Sequence, residues 1–445
     1  MLMTSARPAS RPAPGLPAPP VRPERGDRLP RWAVAVAIAG LPLLIPPGPS
    51  NTAPADVFIV IAIGATLLWA ASTRQLVKFP YVVGVGTMVV AGCVAAVFGK
   101  YPHEGALALL IDLFLLAWAT TVANVGRTDA AAGFLMRVWC VTGSLWSVGL
   151  LAFVGHHAAS SGTATAEAAR ASFTLGEQNG AGFYFAVTIL MILAGRYPRR
   201  LWLRLPVLAC LLLDTLLTGS LAAITGLLAG LALALIVRTA ARHGGAAALV
   251  LFLVLAVAAA GGQRVEHHYQ VVPKAQSSQN LLLRNSVGRA QQSIWERQVI
   301  TYETLGLWRT STLVGLGPNA TKSTLKAQQA PYPKEAHDDW TASLVERGIV
   351  GFAGLLLLVA EIIWRASRVG SPRRLGPGLA AGLPAPEFLI GAFATMAVYS
   401  FTHQILHDRT AWTLLGVLAA FSLWRMQARW PGPDATGPVT SRGTQ

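Results

Sequence analysis

An all-α polytopic membrane protein of about twelve transmembrane helices is predicted by three features of this 445-residue sequence. Hydrophobic residues make up 53% of the chain and charged residues only 13%, with a mean hydropathy of +0.49; such a balance leaves a soluble chain of this length too apolar to dissolve. The apolar residues gather into runs of about 20, the length that crosses a bilayer. The net charge of +16 is held mainly in short Lys/Arg clusters between those runs, the pattern of cytoplasmic connections under the positive-inside rule. Membrane lipids are therefore the expected surroundings, and nucleic acid is not an expected partner.

Residues 1–31 are rich in proline and carry Arg7, Arg11, Arg22, Arg25, Arg28 and Arg31 with few apolar side chains. They cannot bury enough surface to offset chain entropy and are expected to form a disordered basic cytoplasmic tail. The region 32–262 holds nine candidate spans, at 32–48, 55–72, 80–99, 105–124, 134–155, 179–197, 201–218, 220–238 and 245–262. A polar segment, 263–341, precedes three more at 342–364, 386–403 and 411–427, and 428–445 reads as a second cytoplasmic tail. With both termini inside, Arg74, Lys78, Arg127, Arg196, Arg199, Arg200, Arg238, Arg242, Arg373 and Arg374 all fall on the cytoplasmic side. Cys93, Cys140 and Cys210 lie inside apolar runs and read as small hydrophobes.

Two outer connections are long enough to carry chemistry. The first, about 156–178, is small and polar, contains Arg170, and leads into Asn179. The second, 263–341, is the larger. Within it Asn285 to Gly306 has the spacing of an amphipathic helix suited to the membrane surface, with Val287, Ile294, Trp295 and Ile300 on its apolar side. The run Val314-Gly315-Leu316-Gly317-Pro318-Asn319 then breaks the helix with a turn.

His337 stands where this segment meets the next apolar run, and its ordinary pKa near 6.5 suits proton acceptance at neutral pH. It reads either as a general base or as a surface histidine beside a capping aspartate, Asp338 or Asp339. Glu346 lies deep enough that an ionised carboxylate needs a partner, which is either substrate or another helix. Gly348, Gly351 and Gly354 suit close helix packing. Arg284 and Arg289 offer planar, bidentate groups to phosphate, or are solvated charges on a surface helix. Asp112, Arg137, Asp214 and Glu361 are ionisable groups within spans, and Asp214 sits one turn before Thr218-Gly219-Ser220. His403, His407, Asp408 and Arg409 cluster after the eleventh span, as a helix cap or a metal site.

These residues, in this order, resemble the O-antigen ligase and O-antigen polymerase superfamily. Its last outer-loop motif, roughly His-Asn-x-x-Leu-x-x-x-x-Glu-x-Gly-x-x-Gly, is matched by His337-Asp338, Glu346, Gly348 and Gly351, with Leu344 three residues past the leucine position. Gly288-Arg289, Trp295 and Gly315-Leu316-Gly317 follow the family's upstream motifs, Phe173 to Phe183 with Asn179 follows its middle segment, and Thr218-Gly219-Ser220 follows its Thr-Gly-Ser-Arg turn. Leu221 replaces the arginine of that turn, and Asp338 replaces asparagine, a change expected to raise the basicity of the nearby imidazole.

The resemblance implies a glycosyltransferase of the cytoplasmic (inner) membrane whose active site faces the periplasm or exterior. It would move a glycan from an undecaprenyl-diphosphate-linked donor to a hydroxyl of a glycan or lipid acceptor, such as lipid A core, as a ligase; a polymerase would use another lipid-linked repeat. A metal or nucleotide cofactor is not implied. On this reading His337 with Asp338 is catalytic; Arg289, Arg284 and Arg170 hold the diphosphate, and Glu346, Asn179 and Asp214 support the site. A transporter or flippase is the alternative from another class.

Overall fold

A computed structural model describes residues 28–47, 52–161, 172–279, 284, 287–369 and 383–429. Most of the expected tails, at 1–27 and 430–445, and Arg170 lie outside these residues. Among the described residues the protein is all helical, without strands. The helices are α1 (Arg28–Gly40), α2 (Pro54–Thr73), α3 (Val82–Phe98), α4 (Pro102–Val125), α5 (Asp129–Ser161), α6 (Gln178–Gly195), α7 (Leu201–Leu217), α8 (Leu221–His243) and α9 (Gly245–Tyr269). Then follow α10 (Val271–Gln276), α11 (Ala290–Trp308), α12 (Thr321–Ala327), α13 (Asp339–Val369), α14 (Pro386–Ser400) and α15 (Arg409–Arg429).

Each of the twelve expected spans coincides with a helix. Seven are long and apolar enough to cross a membrane, namely α2, α4, α5, α6, α8, α9 and α13, and α3 and α15 contain shorter apolar helices. The first span is shorter than expected, because α1 stops at Gly40 just before Leu41-Pro42, where proline can neither donate to a helix nor tolerate helical geometry behind it. Between α7 and α8 the turn is real: Gly219 has φ +63°, and the Ser220 hydroxyl accepts from Ala223 N–H to cap α8. These are two helices joined by the Thr218-Gly219-Ser220 turn.

The bundle is organised around α6, which is 72% buried, whereas the apolar window of α9 is only 6% buried and runs along the outside. Tryptophans tie the core together, with Trp118 Nε1 donating to Thr413 Oγ1 at 2.7 Å and Trp139 Nε1 donating to Thr188 Oγ1 at 3.0 Å. Small residues let helices meet backbone to backbone. A methyl on Gly230 would come within 2.6 Å of the Gly391 carbonyl, joining α8 to α14, and one on Gly84 within 2.5 Å of Leu358 N, joining α3 to α13.

The 263–341 region is only partly as expected. The ninth helix continues past 262 to Tyr269, and α11 begins at Ala290, after a short 3₁₀ turn at Val287–Arg289. Instead of lying free on a membrane surface, α11 docks on α13, where Leu307, Leu325 and Val345 form a small buried cluster. Ile300 is buried as expected, but Trp295 is 52% exposed and meets Tyr332 edge to face.

Candidate functional site

The first turns of α13, which follow His337, are pinned by the turn after α11. Leu316 N–H donates to the Val345 carbonyl and Gly317 N–H to that of Glu346, both at 3.0 Å, while Ile349 N–H donates to Thr312 O at 3.1 Å. This pairing interrupts α13 at Gly348, where φ is +63° and ψ is −170°. A methyl there would lie 2.1 Å from the Leu313 carbonyl, and one on Gly315 2.5 Å from that of Glu346. Gly348 is thus a kink where two backbones touch, and not the helix-packing glycine expected; Gly354, against Met88, fills that role. Gly348→Ala should destabilise the protein by at least about 1–2 kcal/mol from the left-handed backbone alone, before the clash is counted; thermal unfolding in detergent, followed by light scattering, would measure it.

Glu346 finds its partners within the protein. Its carboxylate accepts from Asn319 N–H at 2.8 Å and from Thr321 Oγ1 at 2.7 Å, fastening the turn and the start of α12 to α13. The neighbouring Arg347 is buried and donates to Asp112 Oδ2 at 2.6 Å, with His407 Nε2 3.4 Å from the other oxygen. Burial disfavours charge on His407, but Asp112 outweighs it and raises the histidine's pKa. Asp408 caps α15, accepting from Thr410 N–H and Ala411 N–H at 2.6 and 3.1 Å, and Arg409 grips Asp56 through two 2.6 Å bonds.

Above this frame sits the polar group around His337. Asp338 is its neighbour in sequence, yet the Asp338 carboxylate accepts from Thr341 N–H at 2.6 Å and so caps α13. The pKa of His337 is lowered from its ordinary 6.5, first by burial and then by the charges of Lys334 and Arg297, with Glu177 and Glu335 opposing. The rise in basicity expected from Asp338 is therefore reversed. Asp339 is buried and accepts from Ile405 N–H at 2.9 Å and Leu406 N–H at 3.2 Å, pinning the start of α13 to the 401–408 loop.

That loop brings a second histidine. His403 stacks on Tyr399 at 4.3 Å, and Tyr399 stacks on Phe183 of α6 at 4.7 Å, so the imidazole is the end of an aromatic column. Its Nδ1 lies 3.0 Å from Thr402 Oγ1. Burial, Arg297 and His337 together push its pKa down to about 3. From the other side Glu177 reaches the same group, influencing His337, Arg297 and Tyr399, and it accepts from Asn179 Nδ2 at 3.2 Å. Asn179 thereby joins the site through Glu177.

Electrostatic influence links His337, Arg297, His403 and Glu177, with Asn179 joined through its bond to Glu177; they come from the start of α6, from α11, and from the loops before α13 and after α14. Arg297 and Glu177 are not among the expected site residues, and His403 is expected only in a cap or metal cluster with His407, Asp408 and Arg409. His403 falls 66 residues after His337 with α13 and α14 between them, so no spacing links them, and Arg297 is one of several charges along α11. Arg284 is exposed, and Arg289 ends the 3₁₀ turn leading into α11, eight residues before Arg297. Asp214 hydrogen-bonds Ser147 and links α7 to α5, a structural tie within the bundle.

Beside the polar group opens an apolar cavity of about 850 Å³ between α8, α13, α14 and α15. At one end it is bounded by Asp339, Trp340 and Ser400, and at the other by Ala240, Ala241 and Ser367. Trp340 Nε1 donates to Ser400 Oγ at 3.2 Å while its ring stacks on Phe401 at 5.3 Å, so the mouth nearest His337 is rigid and amphipathic.

A family model described as O-antigen ligase matches residues 206–356, from α7 into α13. The match takes in Arg289, Arg297, His337 and Glu346, and leaves Glu177, Asn179 and His403 outside. Among curated proteins, none matches the chain.

Proposed function

We propose that this multi-pass membrane protein, similar over residues 206–356 to the O-antigen ligase family, transfers a glycan from an undecaprenyl-diphosphate-linked donor to an acceptor hydroxyl. The observation that carries this reading is the apolar cavity whose lining begins two residues after His337, at Asp339, and two residues after His403, at Ile405. Along α13 it runs from Trp340 to Ser367, roughly 40 Å at 1.5 Å per residue, comparable with a bilayer's hydrocarbon core of about 30 Å. A long prenyl chain suits such a groove, and a soluble sugar does not.

With the chain in the groove, the diphosphate lies near Trp340 and Arg297, and its anomeric carbon near His337. Arg297 offers a bidentate fork to the diphosphate, and Arg289, in the turn just before the same helix, is the next cation in the chain. His337, neutral because its pKa is lowered, takes the proton of the acceptor hydroxyl. The acceptor oxygen then bonds to the anomeric carbon as the carbon–oxygen bond to phosphate breaks, and the diphosphate leaves with the bonding pair. Leaving-group charge is met by Arg297. The site then faces the periplasm or exterior, with both termini cytoplasmic, in keeping with the Lys/Arg clusters at the opposite end of the bundle.

Two measurements test this. Purified protein given an undecaprenyl-diphosphate glycan and a terminal acceptor should convert the acceptor to one shifted band on a gel; a ladder would reassign the chain as a polymerase, and unchanged donor would overturn both. Ala397→Phe, an exposed residue lining the cavity, should raise KM for the donor by about tenfold, the equivalent of ~1.4 kcal/mol, with kcat nearly unchanged.

A further inference from the structure

A second cavity, of about 620 Å³, lies between α2 and α4. Its wall is mixed: Val60, Leu110, Ile111 and Phe114 form an apolar side, while Asp56, Asn319, Glu335, His407 and Arg409 form a polar rim. Two loops separate it from the larger cavity, and in each loop nearby residues line opposite cavities. In the loop before α13, Glu335 lines the smaller cavity and Asp339 the larger; after α14, Ile405 and Leu406 line the larger, and His407 and Arg409 the smaller. His337 lies in the chain between Glu335 of the smaller cavity and Asp339 of the larger, two residues and at most about 7 Å of chain from each.

The rim differs in charge from the Arg297 group. Arg409 is held bidentate by Asp56, His407 lies against Asp112, and Glu335 is 3.6 Å from Lys322. These pairs present fixed donors and acceptors with their charges already balanced, which suits hydroxyl groups that both donate and accept. A diphosphate would have to compete with carboxylates for the same cations.

We propose that the smaller cavity is the acceptor site, taking an amphiphile with an uncharged, hydroxyl-rich head at the Asp56/Arg409/Glu335 rim and an alkyl or prenyl tail against Val60, Leu110 and Phe114. The proposal rests on the transfer reading above: donor and acceptor enter from different sides of the bundle and meet across the loop that carries His337. Separate doors let the two lipids bind at once without exchanging places, and the loop brings an acceptor hydroxyl to the base.

The test uses binding, so that it does not depend on turnover. The full chain in phosphatidylglycerol nanodiscs is irradiated with a diazirine-bearing dodecyl glucoside or a diazirine-bearing farnesyl diphosphate, and labelled peptides are identified by mass spectrometry. The glucoside should label α2 and α4, resist competition by farnesyl diphosphate, and lose about tenfold of its labelling in Leu110→Trp, a substitution at a side chain 63% exposed. Glucoside labelling of α8 and α14 that farnesyl diphosphate displaces would overturn the proposal, as would labelling spread equally over α9 or unaffected by Leu110→Trp. Failure of farnesyl diphosphate to label α8 and α14 would instead strike the donor assignment, leaving the glucoside result to stand by itself.

Discussion

His337→Ala is expected to lower glycan transfer by about 100-fold or more while the protein inserts and binds donor normally. The loss follows from removing the group that accepts the hydroxyl proton, and a diphosphate leaving group makes that proton the main remaining demand on acid–base chemistry. The pH profile carries the finer test. Burial, Lys334 and Arg297 lower the pKa of His337, so the neutral, base-competent form persists below the ordinary value of 6.5. Accordingly the acid limb of kcat/KM, which reports the free enzyme, should have its midpoint below pH 6.5. Bound diphosphate adds negative charge and favours the imidazolium, so the acid limb of kcat should lie higher than that of kcat/KM. Lys334→Ala removes one of the lowering charges and should move the free-enzyme limb upward. Transfer by His337→Ala at the wild-type rate, or a limb that ignores Lys334, would remove this histidine from the reaction.

Arg297→Ala should cost on the order of 100-fold in kcat, the scale seen when one preorganised group facing a developing charge is lost. Arg297→Lys should recover little, because a lysine cannot make the planar two-point contact that a guanidinium makes with phosphate. The variants also report on His337: losing the Arg297 charge should raise that histidine's pKa, so residual activity should show its acid limb at higher pH. A binding measurement with farnesyl diphosphate separates donor grip from chemistry. If affinity is unchanged and kcat falls, the arginine acts on leaving-group charge; if both are unchanged, the diphosphate is held elsewhere, with Arg289 the next candidate.

Much of the fold was legible because membrane spans are written in composition and length, which do not depend on what packs against what. The turn at Thr218-Gly219-Ser220, the glycine pair Gly315 and Gly317, and the place of His337 at a helix start were equally local. Where one residue suits two partners, spacing leaves the choice open. Asp338 suits both the imidazole of His337 and a helix cap, and it caps α13 through Thr341 N–H, since the nearest helix N–H groups compete for the carboxylate more directly than the ring does. Glu346 suits either a substrate contact or a tie to another helix, and it spends both oxygens on Asn319 and Thr321. Gly348 looked like packing and proved to be the kink on which the Gly315 turn rests.

The sequence by itself determined the class of molecule, the order of its helices and the histidine at their boundary, since hydrophobic run length and turn chemistry act over a few residues. Only the tertiary structure decided which charges surround that histidine. Glu177, Arg297 and His403 come from three separate parts of the chain, and electrostatic influence depends on distance and burial in space, which residue spacing does not encode. The two cavities, lined by Asp339 and Glu335 on either side of His337 in the chain, are likewise properties of packed helices, created where side chains from several segments fail to meet.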